Sequence, residues 1–331
     1  MGDGAVQCSA IIVNYNGGDD LLECLASLRQ QVGDPVEIII VDNASTDGSL
    51  ERAANDFPEA RIVRSPMNEG FAGGCNLGAD EARGEVLLFL NPDVVLDQTC
   101  VAELCRCLRV RPGVAGPRLF IETSGIWEYG SILDVLGFPV GLRSHVPALY
   151  VSGCALATGR RTFCRLGGFD RRYFMIYEDI DYCWRALLAG ESISVLPNSK
   201  TIHRGGRATP GGYVRQGRRE LSTFRIALLE RNRLATLLKC APLTWLVFAV
   251  PASIFSILVT ALGAIVAGRL QLSKALLEGL AWNLHELPQT LKERREGPSL
   301  VPRWAAIRGR IYPSVEVVAS IRRHGRPRFV H

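Results

Sequence analysis

The chain has 331 residues, 47% of them hydrophobic and 21% charged, with a mean hydropathy of +0.12. That composition suits about two folding units of roughly 150 residues each and excludes a disordered or collagen-like chain. The net charge of +5 hides an asymmetry: residues 1–199 hold 16 Lys+Arg against 26 Asp+Glu, whereas residues 200–331 hold 22 against 7.

The run Ser9 to Tyr15 is apolar and β-branched, which predicts a buried strand. Leucines at 21, 22, 25 and 28 give Asp20–Gln31 a helical spacing. A second strand is predicted over Val36–Val41, a helix over Asp47–Asp56 and a third strand over Ala60–Arg64. Gly70–Arg83 reads as a small-residue helix, Val86–Leu90 as a fourth strand and Asp97–Val110 as a helix. This alternation predicts an α/β fold with a mostly parallel sheet and right-handed crossovers. Residues 121–148, rich in Gly, Ser, Pro and aromatics, read as an excursion from the sheet, and the chain returns at Tyr150–Ala157. Short and long helices follow at Arg161–Leu166 and Glu178–Ala189, then strands at Ser192–Leu196 and Lys200–His203.

Beyond Gly205 the character changes. A Gly- and Arg-rich stretch leads to a basic helix predicted over Arg218–Lys239. Cys240–Gly268 then runs 29 positions without a charge, longer than the roughly 20 residues a membrane span needs, though Pro242 and Pro251 interrupt it. Both of its flanks are basic, and the positive-inside rule disfavours exporting either one. A re-entrant hairpin turning at Pro251, or helices lying in the interface, keeps both inside. Leu270–Leu291 has the leucine spacing of an interfacial helix. A soluble helical subdomain is the alternative. The arginines flank an apolar segment instead of interleaving with aromatics, which favours anionic lipid over nucleic acid.

The ten cysteines form no CxxC pair and no Cys/His zinc spacing, so they read as small buried side chains in a reducing compartment. The N-terminus lacks a basic region followed by an apolar run, so no signal peptide is expected, and the expected location is the cytoplasmic face of the membrane, peripheral or monotopic.

In an open parallel sheet, ligands bind beyond the carboxyl ends of the strands. The polar residues there are Asn14 and Asn16, Asp42 and Asn43, Asn68 and Glu69, and Asn91 with Asp93. Each alone can be a turn or cap residue; four polar tips on one sheet edge form a candidate site. A G-x-G-x-x-G fingerprint after the first strand is missing, as is a P-loop, which argues against a dinucleotide oxidoreductase or an NTPase.

The ordered set Ile12-Val-Asn-Tyr-Asn16, Val41-Asp-Asn-Ala-Ser-Thr-Asp47, Asn68-Glu-Gly-Phe-Ala-Gly-Gly-Cys-Asn76 and Phe89-Leu-Asn-Pro-Asp93 resembles glycosyltransferase family 2. Gly167-Gly-Phe-Asp170, Tyr177-Glu-Asp-Ile-Asp181 and Ile202-His-Arg204 extend the resemblance over roughly residues 8–235, and the Asn-Pro-Asp and Tyr-Glu-Asp-Ile-Asp blocks look most like the bacterial rhamnosyltransferase branch. The resemblance implies a GT-A fold over 1–235 and sets the apolar, basic region 236–331 apart. It implies a nucleotide-sugar donor, inversion at the anomeric carbon, and an acceptor that is lipid-linked or a glycan of the cell envelope, with dTDP-L-rhamnose the expected donor. Galactofuranosyl transfer, a polyprenyl-phosphate sugar synthase and a non-catalytic nucleotide-sugar binder stay open as alternatives.

By the same resemblance, Asp93 and His203 hold a divalent cation, Mg²⁺ or Mn²⁺. Hard cations take oxygen ligands, and Asn91 stands where the family usually has Asp. Asn14, Asp42, Asn68, Gly70 and Asn91, with Arg204 and Arg207, are assigned to the donor. Asp179 is the expected base that takes the acceptor hydroxyl proton, with Asp181 second, in an acidic cluster that also contains Glu178.

Overall fold

The computed structural model describes residues 7–205, 214–215, 218–298, 301–313 and 328–330. The chain divides into two compact units: Met1–Ser131, Gly141–Ala186 and Glu191–Thr209 form one, and Ile132–Val140, Leu187–Gly190 and Pro210–His331 the other.

In the first unit, β1 (Cys8–Asn14), β2 (Val36–Asp42), β3 (Arg61–Arg64) and β4 (Val86–Leu90) pair in parallel, in the spatial order β3-β2-β1-β4. Between them run α1 (Gly18–Arg29), α2 (Ser49–Asp56) and α3 (Gly70–Glu81). These elements follow the predicted alternation to within a few residues. β1 and β4 are buried at every position, as unbroken Ile/Val/Leu runs require when helices cover both faces. Leu21, Leu25 and Leu28 of α1 enter the same core, and most of the cysteines are buried and unbonded, as their spacing predicted.

The second half of the sheet is mixed. After the short β5 (Val94–Leu96) and α4 (Cys100–Val110) come β6 (Gly113–Ile121), β7 (Ile126–Glu128), β8 (Ser131–Asp134), β9 (Pro139–Gly141) and β10 (Ala155–Gly159). Then follow α5 (Arg160–Arg165), α6 (Glu178–Leu188) and β11 (Ser192–His203). The sheet continues β4-β10-β6-β11-β5, with β7 on β6. β10 is antiparallel to both neighbours, β6 and β11 are parallel to each other, and β5 closes the edge antiparallel to β11. Sequence reading passed over β6 because Gly116 and Pro117 break its pattern. Pro117 pairs with Leu196 where β11 shifts register before Lys200, and a bulge tolerates the missing N–H. The two strands expected at 192–196 and 200–203 are therefore one bulged strand.

The second unit is helical: α7 (Thr223–Cys240), α8 (Leu243–Val266), α9 (Leu270–His285), α10 (Leu287–Glu296) and α11 (Arg303–Ile307). The basic helix starts five residues later than expected, at Thr223 after the Ser222 cap, because 218–222 form a strand. Leu270–Leu291 is two helices meeting at Glu286 and Leu287. The hairpin turn expected at Pro251 is not made: α8 runs through it as one helix of 24 residues. Pro251 lies inside the helix on its exposed side, where the one backbone bond it loses costs less than breaking the helix and its packed stripe.

Trp245, Ala249, Ser253, Ile257, Ala261 and Ala264, spaced by fours and a three, form the buried stripe of α8. Ile257, Ala261 and Ala264 pack with Leu272 and Leu276 of α9. The opposite side is apolar as well and stands exposed, at Val247, Phe248, Phe255, Val259, Leu262 and Val266. Among the described residues, buried polar groups of this unit find partners inside it. Arg233 on α7 is fully buried, pairs with Glu230, donates to Ser253 Oγ at 2.7 Å and to the Leu136 carbonyl at 2.6 Å, and lies 4.1 Å over the Phe138 ring.

Candidate active site

The sheet edge formed by the carboxyl ends of β1, β2, β4 and β11 gathers most of the expected residues. On the β1–β3 side their polar groups are held by one another. Asn14 is fully buried; its amide donates to Ser45 Oγ and Ser49 Oγ at 3.0 Å and lies 3.4 Å from Asp42 Oδ1, while its oxygen accepts the Gly17 N–H. It therefore fixes the Asp42 carboxylate at the end of β2 from behind. Asn68 accepts the Gly70 N–H at 2.9 Å, which starts α3. Gly70 has φ +71°, and a Cβ there would sit 2.2 Å from the Phe174 carbonyl, so only glycine fits. Asn43 donates to the Gly70 carbonyl at 2.8 Å, but its own buried Oδ1 has no partner among the described residues. Asn91 is half-buried in the turn after β4, its N–H bonded to the Cys154 carbonyl.

At the ends of β4 and β11, Asp93 and His203 meet: Oδ2 lies 3.3 Å from Nε2, with Asp93 4% exposed. The two are within ion-pair distance but out of line for a hydrogen bond, and His203 Nε2 is buried with no hydrogen-bond partner among the described residues. A carboxylate oxygen and an imidazole nitrogen this close are donor types that suit a small divalent cation. No further His, Cys, Asp or Glu joins them into a three-residue metal cluster among the described residues, so other ligands would come from substrate and water.

Asp179 opens α6. It is held from two sides, Oδ2 accepting the Gly153 N–H and Oδ1 the Ile180 N–H, each at 2.8 Å. Burial pushes its carboxyl up to about 6, against the pull of those backbone N–H groups. A carboxylate with that affinity can take a proton at neutral pH. The preceding loop is strained: Phe174, Ile176 and Tyr177 all have positive φ, rare for a β-branched or bulky residue, and each costs about 1–3 kcal/mol. The Phe174 carbonyl accepts the Ala72 N–H at 3.0 Å, so this loop ties the start of α6 to the start of α3.

Asp181, two residues on, points elsewhere. It is fully buried and pairs with Arg185 at 2.8 Å, and Arg185 also donates to the Leu166 and Gly168 carbonyls. That network holds the Gly167-Gly-Phe-Asp170 turn, which Asn76 grips through both atoms of its amide to the Phe169 backbone. Arg204 pairs with Asp20 and Glu23 on α1. Arg207 lies outside the described residues.

Sequence reasoning missed Gly153, whose N–H orients Asp179; Arg185, which occupies Asp181; and Glu128 on β7. Gly153 and Glu128 lie in stretches with no periodicity to mark them.

Residues 9–165 match the family model described as Glycosyl transferase family 2. Over 234 residues the chain is 26% identical to an N-acetylglucosaminyl-diphospho-decaprenol L-rhamnosyltransferase of Mycobacterium tuberculosis, covering 60% of this chain and 76% of that one. Over 240 residues it is 26% identical to the low-salt glycan biosynthesis hexosyltransferase Agl10 of Haloferax volcanii, covering 68% and 73%. Among solved structures it resembles GalNAc-T7 with UDP, GalNAc and Mn²⁺ (TM-score 0.57, 16% identity, 71% of this chain and 48% of that chain). It also resembles the mannosyltransferase PcManGT of Pyrobaculum calidifontis with GDP-Man and Mn²⁺ (TM-score 0.54, 18% identity, 87% and 84%). These likenesses identify the sheet and its helices as GT-A-like.

Proposed function

From a chain whose residues 9–165 match the glycosyl transferase family 2 model, we propose an inverting, metal-dependent transfer of a sugar from a nucleotide donor to a hydroxyl of a membrane-held acceptor. The donor we favour is dTDP-L-rhamnose and the acceptor a polyprenyl diphosphate-linked sugar, in line with the mycobacterial relative. The observation that carries this reading is the Asp179 carboxylate, half-buried, held by two backbone N–H groups and raised to about 6, on the same edge as the Asp93–His203 pair.

Asp42, fixed by Asn14, receives the nucleoside through its hydroxyls or base. The Asn68–Gly70 turn brings backbone close to it. Asp93 and His203 are the residues that would hold Mg²⁺ or Mn²⁺, which when bound offsets the negative charge that grows on the departing diphosphate. Asp179 takes the proton from the acceptor hydroxyl as its oxygen bonds to the anomeric carbon. The bond from that carbon to the diphosphate breaks, and the leaving electron pair goes with it. A single displacement of this kind inverts the anomeric centre. Arg204 can serve the diphosphate only by leaving Asp20 and Glu23. In this reading Asp181 is a positioning residue, through Arg185, and the catalytic region 1–235 precedes a membrane-associating region 236–331.

The exposed side of α8 supports the membrane part. Only 22% of its most apolar 18-residue window is buried, at mean hydropathy 2.2. Arg233, paired with Glu230, is bonded to Ser253 near the middle of α8. A spanning helix would carry that ion pair to the hydrocarbon centre, where charges are expensive. In our reading α8 instead lies along the cytoplasmic interface, with its outer side in lipid and Arg269 and Lys274 at anionic headgroups.

The test is a donor screen with purified protein and Mn²⁺. Hydrolysis or transfer from dTDP-L-rhamnose that EDTA abolishes is expected. Turnover of no nucleotide sugar would leave a binding protein, and the proposal would fail.

A further inference from the structure

One carboxylate in the first unit has no place in the scheme above. Glu128 lies on β7, whose register puts Glu128 opposite Leu119 and Ile126 opposite Ile121 of β6. Leu119 and Ile121 in turn face Thr201 and His203 of β11. Paired residues share a face of the sheet, so Glu128 is on the face of His203. Its charge is felt there: His203 and Arg143 favour its ionised form, while burial, the larger effect, pushes its carboxyl up. The Cys154 thiol, itself pushed up mainly by burial, feels Asp93, Asp179 and Glu128 together. The buried Tyr150 hydroxyl feels both Asp179 and Glu128. Glu128 thus borders the space served by the expected base and the expected metal pair.

The carboxyl is built in. A Cβ on Gly141 would lie 2.5 Å from Glu128 Oε1 and 3.2 Å from Oε2, so the glycine leaves room for it. On the opposite face of β7, Trp127 and Tyr129 grip Arg118: the guanidinium lies 4.2 Å over the indole and donates to the Tyr129 hydroxyl at 2.8 Å. The strand is thereby fixed from behind. Yet the Glu128 carboxylate accepts no hydrogen bond from any described residue, although it is half-buried. A carboxylate taken partly out of water costs stability unless something donates to it.

We propose that Glu128 binds the acceptor, its two oxygens receiving hydroxyl hydrogens of the acceptor sugar beside the one that attacks. This rests on the glycosyl-transfer reading. The nucleoside residues Asn14, Asp42 and Asn68 sit at the ends of β1 to β3, whereas β7 pairs with β6 on the side away from β11, and the Glu128 carboxyl shares with the expected base Asp179 the neighbours Tyr150 and Cys154. The chemistry agrees: a carboxylate repels a diphosphate and accepts from vicinal hydroxyls.

The experiment compares wild type, Glu128→Gln and Gly141→Ala in transfer from dTDP-L-rhamnose to N-acetylglucosaminyl-diphospho-decaprenol in detergent micelles, together with Tm. Glu128→Gln should raise the acceptor KM at least tenfold and change the donor KM less than twofold. Its Tm should hold or rise, because the neutral amide is cheaper to desolvate. Gly141→Ala, which displaces the carboxyl without removing it, should move the acceptor KM the same way. An unchanged acceptor KM in Glu128→Gln overturns the assignment alone. So does a fall in Tm with donor and acceptor KM rising together, the mark of a structural role. A wild-type chain that transfers to no acceptor overturns the proposed function, and this assignment with it.

Discussion

The two units manage polarity in opposite ways. In the first, the apolar runs of β1, β2 and β4 disappear into the sheet, and three polar groups that find no hydrogen bond among the described residues, His203 Nε2, Asn43 Oδ1 and the Glu128 carboxylate, lie at the candidate site, with Ser194 Oγ and Ser199 Oγ two more elsewhere on β11. In the second, polar groups such as Arg233 with Glu230 and Ser253, and Lys239 with Glu293 at 3.1 Å, are paired internally, while apolar side chains of α8 face outward. Unsatisfied polarity in a well-packed interior points to a substrate; exposed apolarity on a well-satisfied bundle points to lipid.

The sharpest way to break this contrast is at Asp93. With EDTA, or in Asp93→Ala, transfer should fall on the order of 10³-fold, from the several kcal/mol a cation supplies, while circular dichroism stays native. A variant with full activity would remove the metal from the account.

Asp181 is the control within the same unit, because it is satisfied. Asp181→Asn breaks the ion pair of the fully buried Asp181 with the half-buried Arg185 and should cost about 3–5 kcal/mol of stability by urea unfolding. Residual activity of the folded fraction should stay near wild type. A stable but inactive variant would make Asp181 the base.

In the second unit, Phe255→Glu or Leu262→Glu should weaken co-sedimentation with phosphatidylglycerol vesicles about 10–100-fold, since burying such a side chain is worth about 1.5–3 kcal/mol. A cysteine introduced at Tyr312 should resist an impermeant thiol reagent in intact cells. Labelling would mean that the chain crosses the bilayer.

The smallest effect is the most graded. The raised Asp179 carboxyl acts as a base only when ionised, so kcat/KM should be level at pH 7–8 and fall about tenfold per unit below pH 6. A profile level to pH 5 would argue for a group of ordinary acidity.

Much of the first unit was legible because buried parallel strands are unbroken Ile/Val/Leu runs and their helices show leucine spacing. β6 was not, since Pro117 and Gly116 hide a strand whose partner bulges to accept them. Asp93, His203 and Asp179 were legible as polar residues at element ends, a position that motif spacing records. Asp179 was ranked ahead of Asp181 by resemblance alone, because the physical difference between them lies in Gly153 and Arg185, one distant in sequence and the other four residues along the helix. Pro251 misled for a related reason: proline disfavours a helix interior, but α8 gains more from its packed stripe than it loses there.

The central claim is that Asp179 acts on the acceptor and not on the fold or the donor. The measurement is dTDP binding by calorimetry with Mn²⁺, alongside transfer, in wild type and Asp179→Asn. The account predicts dTDP affinity within twofold of wild type and transfer lower by about 10²–10⁴-fold, the usual worth of a general base. Transfer within a few-fold of wild type, with the same dTDP affinity, would contradict it.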